Sequence, residues 1–205
     1  MERKSNSLIN NNVLPSFASL KTKDMFKAIK YLVGENKKTI SSLENKKKLT
    51  WSNFIYKIEE SDDKISKAWA PVRHLNSVMN DSKIRKQYEK SLALLTSHYG
   101  KVGQNKKLFK QYEKFYNENK KLLKPSQKKL LTNILNDFRL SGVHLDSEKR
   151  KLYRECQEKL ANIESKFEQN ILDSTNSWEK NFKTNKQLKG MPINSLEIAS
   201  EVAAS

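Results

Sequence analysis

The chain has 205 residues, 36% of them hydrophobic, with 18 aromatics, a net charge of +17, 5 Gly, 4 Pro and one Cys. That length allows one core or two small ones, the single Cys156 excludes an intrachain disulfide, and so little Gly and Pro argues for long helices over hairpins. No apolar run approaches the ~20 residues that span a bilayer, and the polar stretch Met1 to Asn12 lacks the apolar core of a secretory signal, so the expectation is a cytoplasmic protein with no membrane partner.

Residues 1–19 read as a flexible or extended lead, because Pro15 pushes Leu14 toward extended geometry. A helical domain is expected over residues 20–205. Thr22 offers the first cap, and Phe26, Ile29, Leu32, Val33, Ile40 and Leu43 follow at helical spacing. Glu44 to Lys48 is the first loop. Thr50 caps a second helix carrying Trp51, Phe54, Ile55, Ile58, Ile65 and Trp69. A break or kink is expected near Pro71, where a proline removes a helical hydrogen bond and crowds the preceding turn.

Asn80 or Asp81 caps a third helix with Ile84, Tyr88, Leu92, Leu95 and Tyr99 on one face. Gly100 and Gly103 are expected to bracket a short connection. A fourth helix bears Leu108, Tyr112, Phe115 and Leu122 and stops before Pro125. Ser126 caps a fifth with Leu130, Ile134, Leu135 and Phe138, closed by Gly142 in the left-handed position. Asp146 opens the longest helix, whose stripe runs Leu152, Cys156, Leu160, Ile163, Phe167 and Ile171 toward Trp178 and Phe182. After a turn at Gly190-Met191-Pro192, a last helix begins with Leu196, Ile198, Ala199 and Val202, and it has no capping glycine or charged final turn. The fold class is all-α: an antiparallel helical domain of five to seven helices.

The charge invites a nucleic-acid reading, since lysines release counterions from phosphates. Yet Lys supplies 34 of the 40 cations and Arg only 6, with 20 Asn alongside, and base readout leans on bidentate arginine. The lysines are spread in doublets and one triplet, Lys46 to Lys48. A solvated surface of biased composition accounts for them more simply than a specific nucleic-acid site.

Catalytic chemistry is hard to find. Zinc hydrolysis needs clustered histidine and carboxylate ligands, but His74, His98 and His144 lie far apart and none has a second histidine within a helical turn. His74 is expected to bond backbone near the kink, with a substrate or interface contact as the sharper reading. His98, near a helix end, suits a protonated imidazole that complements the dipole. Glu59, Glu60, Asp62 and Asp63 are followed by Lys64 and Lys67, which reads as a solvated, ion-paired face more readily than an acid–base pair. Cys156 is expected to be a buried structural thiol, and Trp51, Trp69 and Trp178 to be core residues. No catalytic or metal-binding residue is assigned, and substrate-binding residues stay unassigned.

Four segments carry a resemblance. They are Trp69-Ala70-Pro71-Val72-Arg73-His74-Leu75-Asn76-Ser77-Val78, then Tyr99-Gly100-Lys101-Val102-Gly103-Gln104-Asn105, then Asp137 to Leu145 (DFRLSGVHL), and finally Asn170 to Thr175 (NILDST). In order and spacing the chain resembles the amino-terminal region of the zinc metallopeptidase family of oligopeptidase A, thimet oligopeptidase and neurolysin, from about Leu14 to Ala203. Arg73 stands where the family commonly has serine, and His144 where it often has glycine. The resemblance implies a mostly helical molecule split by a deep channel that admits short, unstructured peptides, with these helices forming part of one wall. It also implies that zinc and the catalytic groups belong to an H-E-x-x-H region that this chain, ending at Ser205, does not contain. The expectation is therefore a truncated peptidase domain, inactive alone, with no cofactor of its own. Its partner would be a separate or missing carboxy-terminal catalytic domain. A fragment, half of a split gene and a decayed gene product all remain open. The alternative is a basic helical nucleic-acid-binding or polyanion-binding protein.

Overall fold

A computed structural model describes residues 6–9, 15, 17–79 and 81–204. Among these residues there are seven α-helices and no strand, as the periodicity and the scarcity of glycine lead one to expect. The helices are α1 (Thr22–Leu43), α2 (Tyr56–Val78), α3 (Ser82–Gly103), α4 (Lys106–Asn119), α5 (Pro125–Leu140), α6 (Ser147–Ser177) and α7 (Ile193–Ala204). The chain divides into two compact units, Met1–Glu168 and Gln169–Ser205. Leu14 and most of the lead expected over residues 1–19 lie outside the described residues.

Several ends follow from local chemistry. The Thr50 hydroxyl accepts from the Asn53 amide, and the Asn53 side chain accepts in return from the Thr50 amide. This box starts a π-helical turn, Trp51–Ile55, that runs into α2. Asp81 caps α3 by accepting from the amides of Lys83 and Ile84; its alternative, Asn80, lies outside the described residues. Asp146 accepts from the Lys149 amide at the head of α6. Gly142 takes φ +82°, a left-handed conformation that side chains resist.

Other ends differ from expectation. Thr22 is already helical, and the preceding Lys21 is a cap with no side-chain hydrogen bond. Lys124 rather than Ser126 caps α5: Pro125 takes the first helical position, and the Gln127 side chain accepts from the Lys124 amide. Leu122 lies beyond α4 and is exposed. Gly100 and Gly103 do not bracket a loop, for α3 continues through both and only Gln104 and Asn105 join it to α4. A Cβ on Gly103 would lie 2.7 Å from that of Ser141, so this glycine permits close approach of the end of α5. Nor does Pro71 break α2, which runs to Val78. Pro71 and Val72 are buried while Lys67, whose carbonyl loses its partner, is exposed and can be hydrated.

The first unit holds two apolar clusters. One joins Met25, Ile29, Leu32 and Val33 of α1 to Ile65, Ala68 and Val72 of α2 and to Ile84, Tyr88 and Leu95 of α3. Trp69 lies at its margin, its ring stacked on Tyr88 at 5.0 Å. The other joins Ile40 and Leu43 at the end of α1 to Phe54, Ile55 and Ile58, to the inner faces of α4 and α5, and to Val143. Trp51 packs against it, near Phe115. Thus α1 runs from the first cluster to the second, α2 returns, and α3 runs forward again, an antiparallel arrangement. Gln111 of α4 ties the loop after α1, its Nε2 lying 3.0 Å from the Leu43 and Glu44 carbonyls and 3.1 Å from that of Lys46. The amide thus adds an acceptor–donor contact to carbonyls at and just beyond the end of α1, where the helix itself supplies too few donors. In the second unit, Pro192 precedes α7 and Gly190 adopts φ +95°.

Two substitutions separate glycine that the fold requires from glycine that it does not. Gly142→Ala would force a left-handed alanine whose Cβ sits 2.6 Å from Leu145 Cδ1, and it is expected to cost about 1–3 kcal/mol. Gly34→Ala, in mid-α1 with no atom within 4 Å of the new Cβ, should stabilise by about 0.5–1 kcal/mol. Urea melts of both variants check the opposite signs.

Candidate interface on the long helix and the polar layer behind it

Between the two apolar clusters lies a polar layer. Fully buried Asn36 of α1 donates from Nδ2 to Ser61 Oγ at 3.0 Å and to Asp62 Oδ1 at 2.8 Å, both on α2. Its Oδ1 lies 2.8 Å from Nε2 of buried His98 on α3. Because the Asn36 oxygen can only accept, His98 must carry its proton on Nε2. The Tyr99 hydroxyl completes the layer with a longer bond, 3.5 Å, to Asp62 Oδ1.

The electrostatics follow from this burial. Desolvation, aided by nearby Lys37 and Lys101, pushes the His98 pKa down to about 4. The imidazole is therefore neutral at pH 7, not the protonated partner of a helix dipole expected from sequence. α3 also runs on past it to Gly103, so His98 does not lie in the last turn. Desolvation pushes Asp62 up to about 6, with Glu59 adding to the rise and hydrogen bonds from Asn36 and Tyr99 opposing it. Burial likewise raises Glu59. The rest of the acidic run behaves as expected, with Lys64 3.0 Å from Glu60 and Lys67 2.6 Å from Asp63. Asp62 and His98 are joined through Asn36, and the layer is a latch between helices.

The sequence reading missed this latch, although a signal was there. Asn36, Asp62 and His98 each occupy a position where the apolar stripe of its helix calls for a hydrophobic residue: 32-36-40, 58-62-65 and 95-98-102. The other two histidines go elsewhere. His74 is exposed and meets the Phe17 ring edge-on at 5.8 Å, while its carbonyl accepts from Ser77. His144 sets its ring against Phe109 at 5.1 Å. Among the described residues no group of three or more His, Cys, Asp or Glu is placed to hold a metal ion.

The second feature is α6. Its inner side is polar or small. Arg154 bonds the Gln104 side chain and packs its stem over Gly100 of α3. Gln104 Nε2 donates to the carbonyls of Ser141 and Arg150. Further along, Glu158, Ala161 and Asn162 face Ala93, Thr96 and Ser97 of α3 across a groove of about 240 Å³. The apolar stripe points away from the body. Leu152 is 60% exposed, Leu160 48%, Ile163 65% and Phe167 65%. Cys156, expected to be buried, is exposed with them. The sequence periodicity located the stripe correctly but not its surroundings. Covering four such side chains is worth on the order of 5 kcal/mol. In the second unit Trp178, expected in a core, is 73% exposed, and α6 stops at Ser177, short of Phe182.

Comparison with known proteins identifies the setting. The model for the family "Neurolysin/Thimet oligopeptidase, N-terminal domain" matches residues 29–150. The chain belongs to this family. Oligopeptidase A of Haemophilus influenzae is 36% identical over 202 residues, which is 98% of this chain and 30% of that protein. Oligopeptidase A of Escherichia coli is 36% identical over 155 residues, 75% of this chain and 23% of its own length. A probable cytosolic oligopeptidase A of Arabidopsis thaliana is 23% identical over 202 residues, 98% of this chain and 29% of that protein. The chain thus spans about 30% of the length of the curated relatives it matches over nearly its whole extent. No helix among its described residues is long and apolar enough to cross a membrane.

The two latch groups that titrate between pH 4 and 7 give opposite pH slopes. Unfolded chains protonate His98 near its ordinary value of 6.5 but the folded chain only near 4, so acidification through that window favours unfolding. Asp62 is protonated near 6 when folded and near 3.8 when unfolded, so acidification there favours folding. The slopes largely offset. Asp62→Asn keeps an acceptor for Asn36 and removes one of them. Its stability, from urea melts between pH 4 and 8, should equal or exceed the native chain's above pH 6.5 and then fall more steeply toward pH 4.

Proposed function

We propose that the chain is the amino-terminal, channel-wall domain of an oligopeptidase A-like zinc metalloendopeptidase that acts on short peptides, and that it is not catalytic by itself. The observation that carries this reading is the family match over residues 29–150 together with 36% identity to an oligopeptidase A more than three times as long. The zinc and the water-activating carboxylate then belong to the carboxy-terminal part of the complete enzyme. This chain contributes binding surface and shape. The exposed apolar face of α6 supports the same view, because a domain that works within a larger enzyme has such a face to cover. A cytosolic location is part of the proposal: a lone exposed cysteine suits a reducing compartment, and one relative is described as cytosolic.

The alternative, a polyanion-binding protein, draws on the net charge alone. Against it, some of the cations are paired locally, as in the pairs of Lys38 with Glu35, Lys64 with Glu60 and Lys149 with Asp146. Trp69 and Trp51 stack or pack on neighbouring rings and are not free to stack on bases.

Two measurements test the proposal together. The purified chain should carry no stoichiometric zinc by elemental analysis and should leave short peptides intact. Mixed with the carboxy-terminal remainder of a relative, it should restore cleavage that a chelator abolishes. Nucleic-acid binding that is selective and survives physiological salt would instead favour the alternative, since a diffuse lysine surface loses most of its affinity there.

A further inference from the structure

The apolar positions of α6 repeat in a way that defines what can cover them. Leu152 and Ile163 are eleven residues apart, as are Cys156 and Phe167, with Leu160 between. An eleven-residue repeat is 3.67 residues per turn, close to the α-helix itself, so the stripe follows the axis with little drift. From Leu152 to Phe167 it makes a straight ridge roughly 22 Å long at about 1.5 Å per residue. A ridge of that form suits another helix lying along it more than a loop or a compact plug.

Three possible occupants can be weighed. The body of the first unit offers no apolar seat, for the face of α3 nearest α6 presents Ala93, Thr96, Ser97 and Gly100. Turning α6 over would bury the ridge against small and polar groups and release Arg154 from Gln104. A second copy meets the opposition of two chains of +17 each. The third is the part of the peptidase that lies beyond the matched region. The relatives carry more than twice this chain's length outside it, and the matching family model is an amino-terminal domain.

We propose that the outward ridge of α6, Leu152 to Phe167, is the seat of a helix from the carboxy-terminal part of the peptidase, aligned along α6 and covering Cys156. This rests on the reading of the chain as the amino-terminal domain of such an enzyme. The inner, polar side of α6 holds the helix to its own domain through Gln104 and Arg154, and the outer, apolar side holds the next one.

Cys156 reports on the ridge because it is the only thiol and is exposed in the chain alone. The full chain is mixed with the separately produced carboxy-terminal remainder of the Haemophilus influenzae relative. Complex formation is followed by sedimentation, Cys156 by its rate of maleimide labelling, and the mixture by chelator-sensitive peptide cleavage. The expected result is a complex in which labelling slows by about tenfold or more, since access limits thiol chemistry. Ile163→Asp, at an exposed position that leaves helical content unchanged, should weaken that complex by about 100-fold or more, because it sets an unpaired charge in an apolar contact. A complex that cleaves peptides but labels as fast as the free chain, and tolerates Ile163→Asp, overturns the proposal and leaves the functional reading intact. Cys156 already shielded in a self-associated or monomeric chain overturns it as well, naming a second copy or the chain itself as the occupant. No complex and no cleavage overturns the functional reading, and the inference with it.

Discussion

The first unit depends on one buried amide. Asn36 sits where the two apolar clusters would otherwise merge, and its side chain reaches both α2 and α3. Apolar packing is tolerant of sliding, since one methylene contact resembles the next. A hydrogen-bonded amide is not, because a shift of one helical turn would leave Asn36, Asp62 and His98 buried and unpaired at a cost of about 1–3 kcal/mol each. The layer therefore fixes the register of three long helices whose hydrophobic stripes alone would allow several. The desolvated Asp62 and His98 tax stability in opposite pH ranges, so that this specificity is obtained without a sharp pH dependence.

A different logic governs α6. Where α1 to α3 share buried side chains, α6 meets the body through an arginine, a glutamine and small residues. Its amphipathic pattern is intact but faces away. Within one chain that is an inconsistency between sequence and surroundings, and in a piece of a larger enzyme it is the mark of a boundary. The family assignment and the orientation of α6 thus agree, though one comes from identity and the other from burial.

What could be read from sequence divides along physical lines. Caps at Thr50, Asp81 and Asp146 and the left-handed turn at Gly142 depend on residues within one turn of each other, and they were legible. So was the all-α class, from periodicity. Pro71 was misjudged because the burial of Pro71 and Val72 holds α2 together past a missing hydrogen bond. Asn36 was missed, and His98 assigned to a helix end instead of the interior, because a stripe read for apolar residues passes over the polar ones at its core positions. Cys156 and Trp178 show the complementary error. Periodicity reveals which face of a helix is apolar, and it says nothing about whether anything covers that face. The interface needed the fold, because only the placement of Arg154 against Gln104 shows which side of α6 is turned inward.

The outward ridge of α6 also bears on how such a protein is made. Synthesis runs from the amino terminus at about 5–20 residues per second, and in relatives of this kind more than twice this chain's length follows it. The helices described here can fold while the ribosome is still at work, leaving the ridge bare for on the order of tens of seconds. During that interval it is a site for mispairing with other nascent chains. The abundant lysine then acquires a use unconnected with any ligand. Charges interleaved with the ridge, Lys151, Glu155, Lys159, Glu164 and Lys166, act as gatekeepers. The net charge keeps like chains apart, so a surface excess of lysine would protect the proposed interface until its other half has been synthesised.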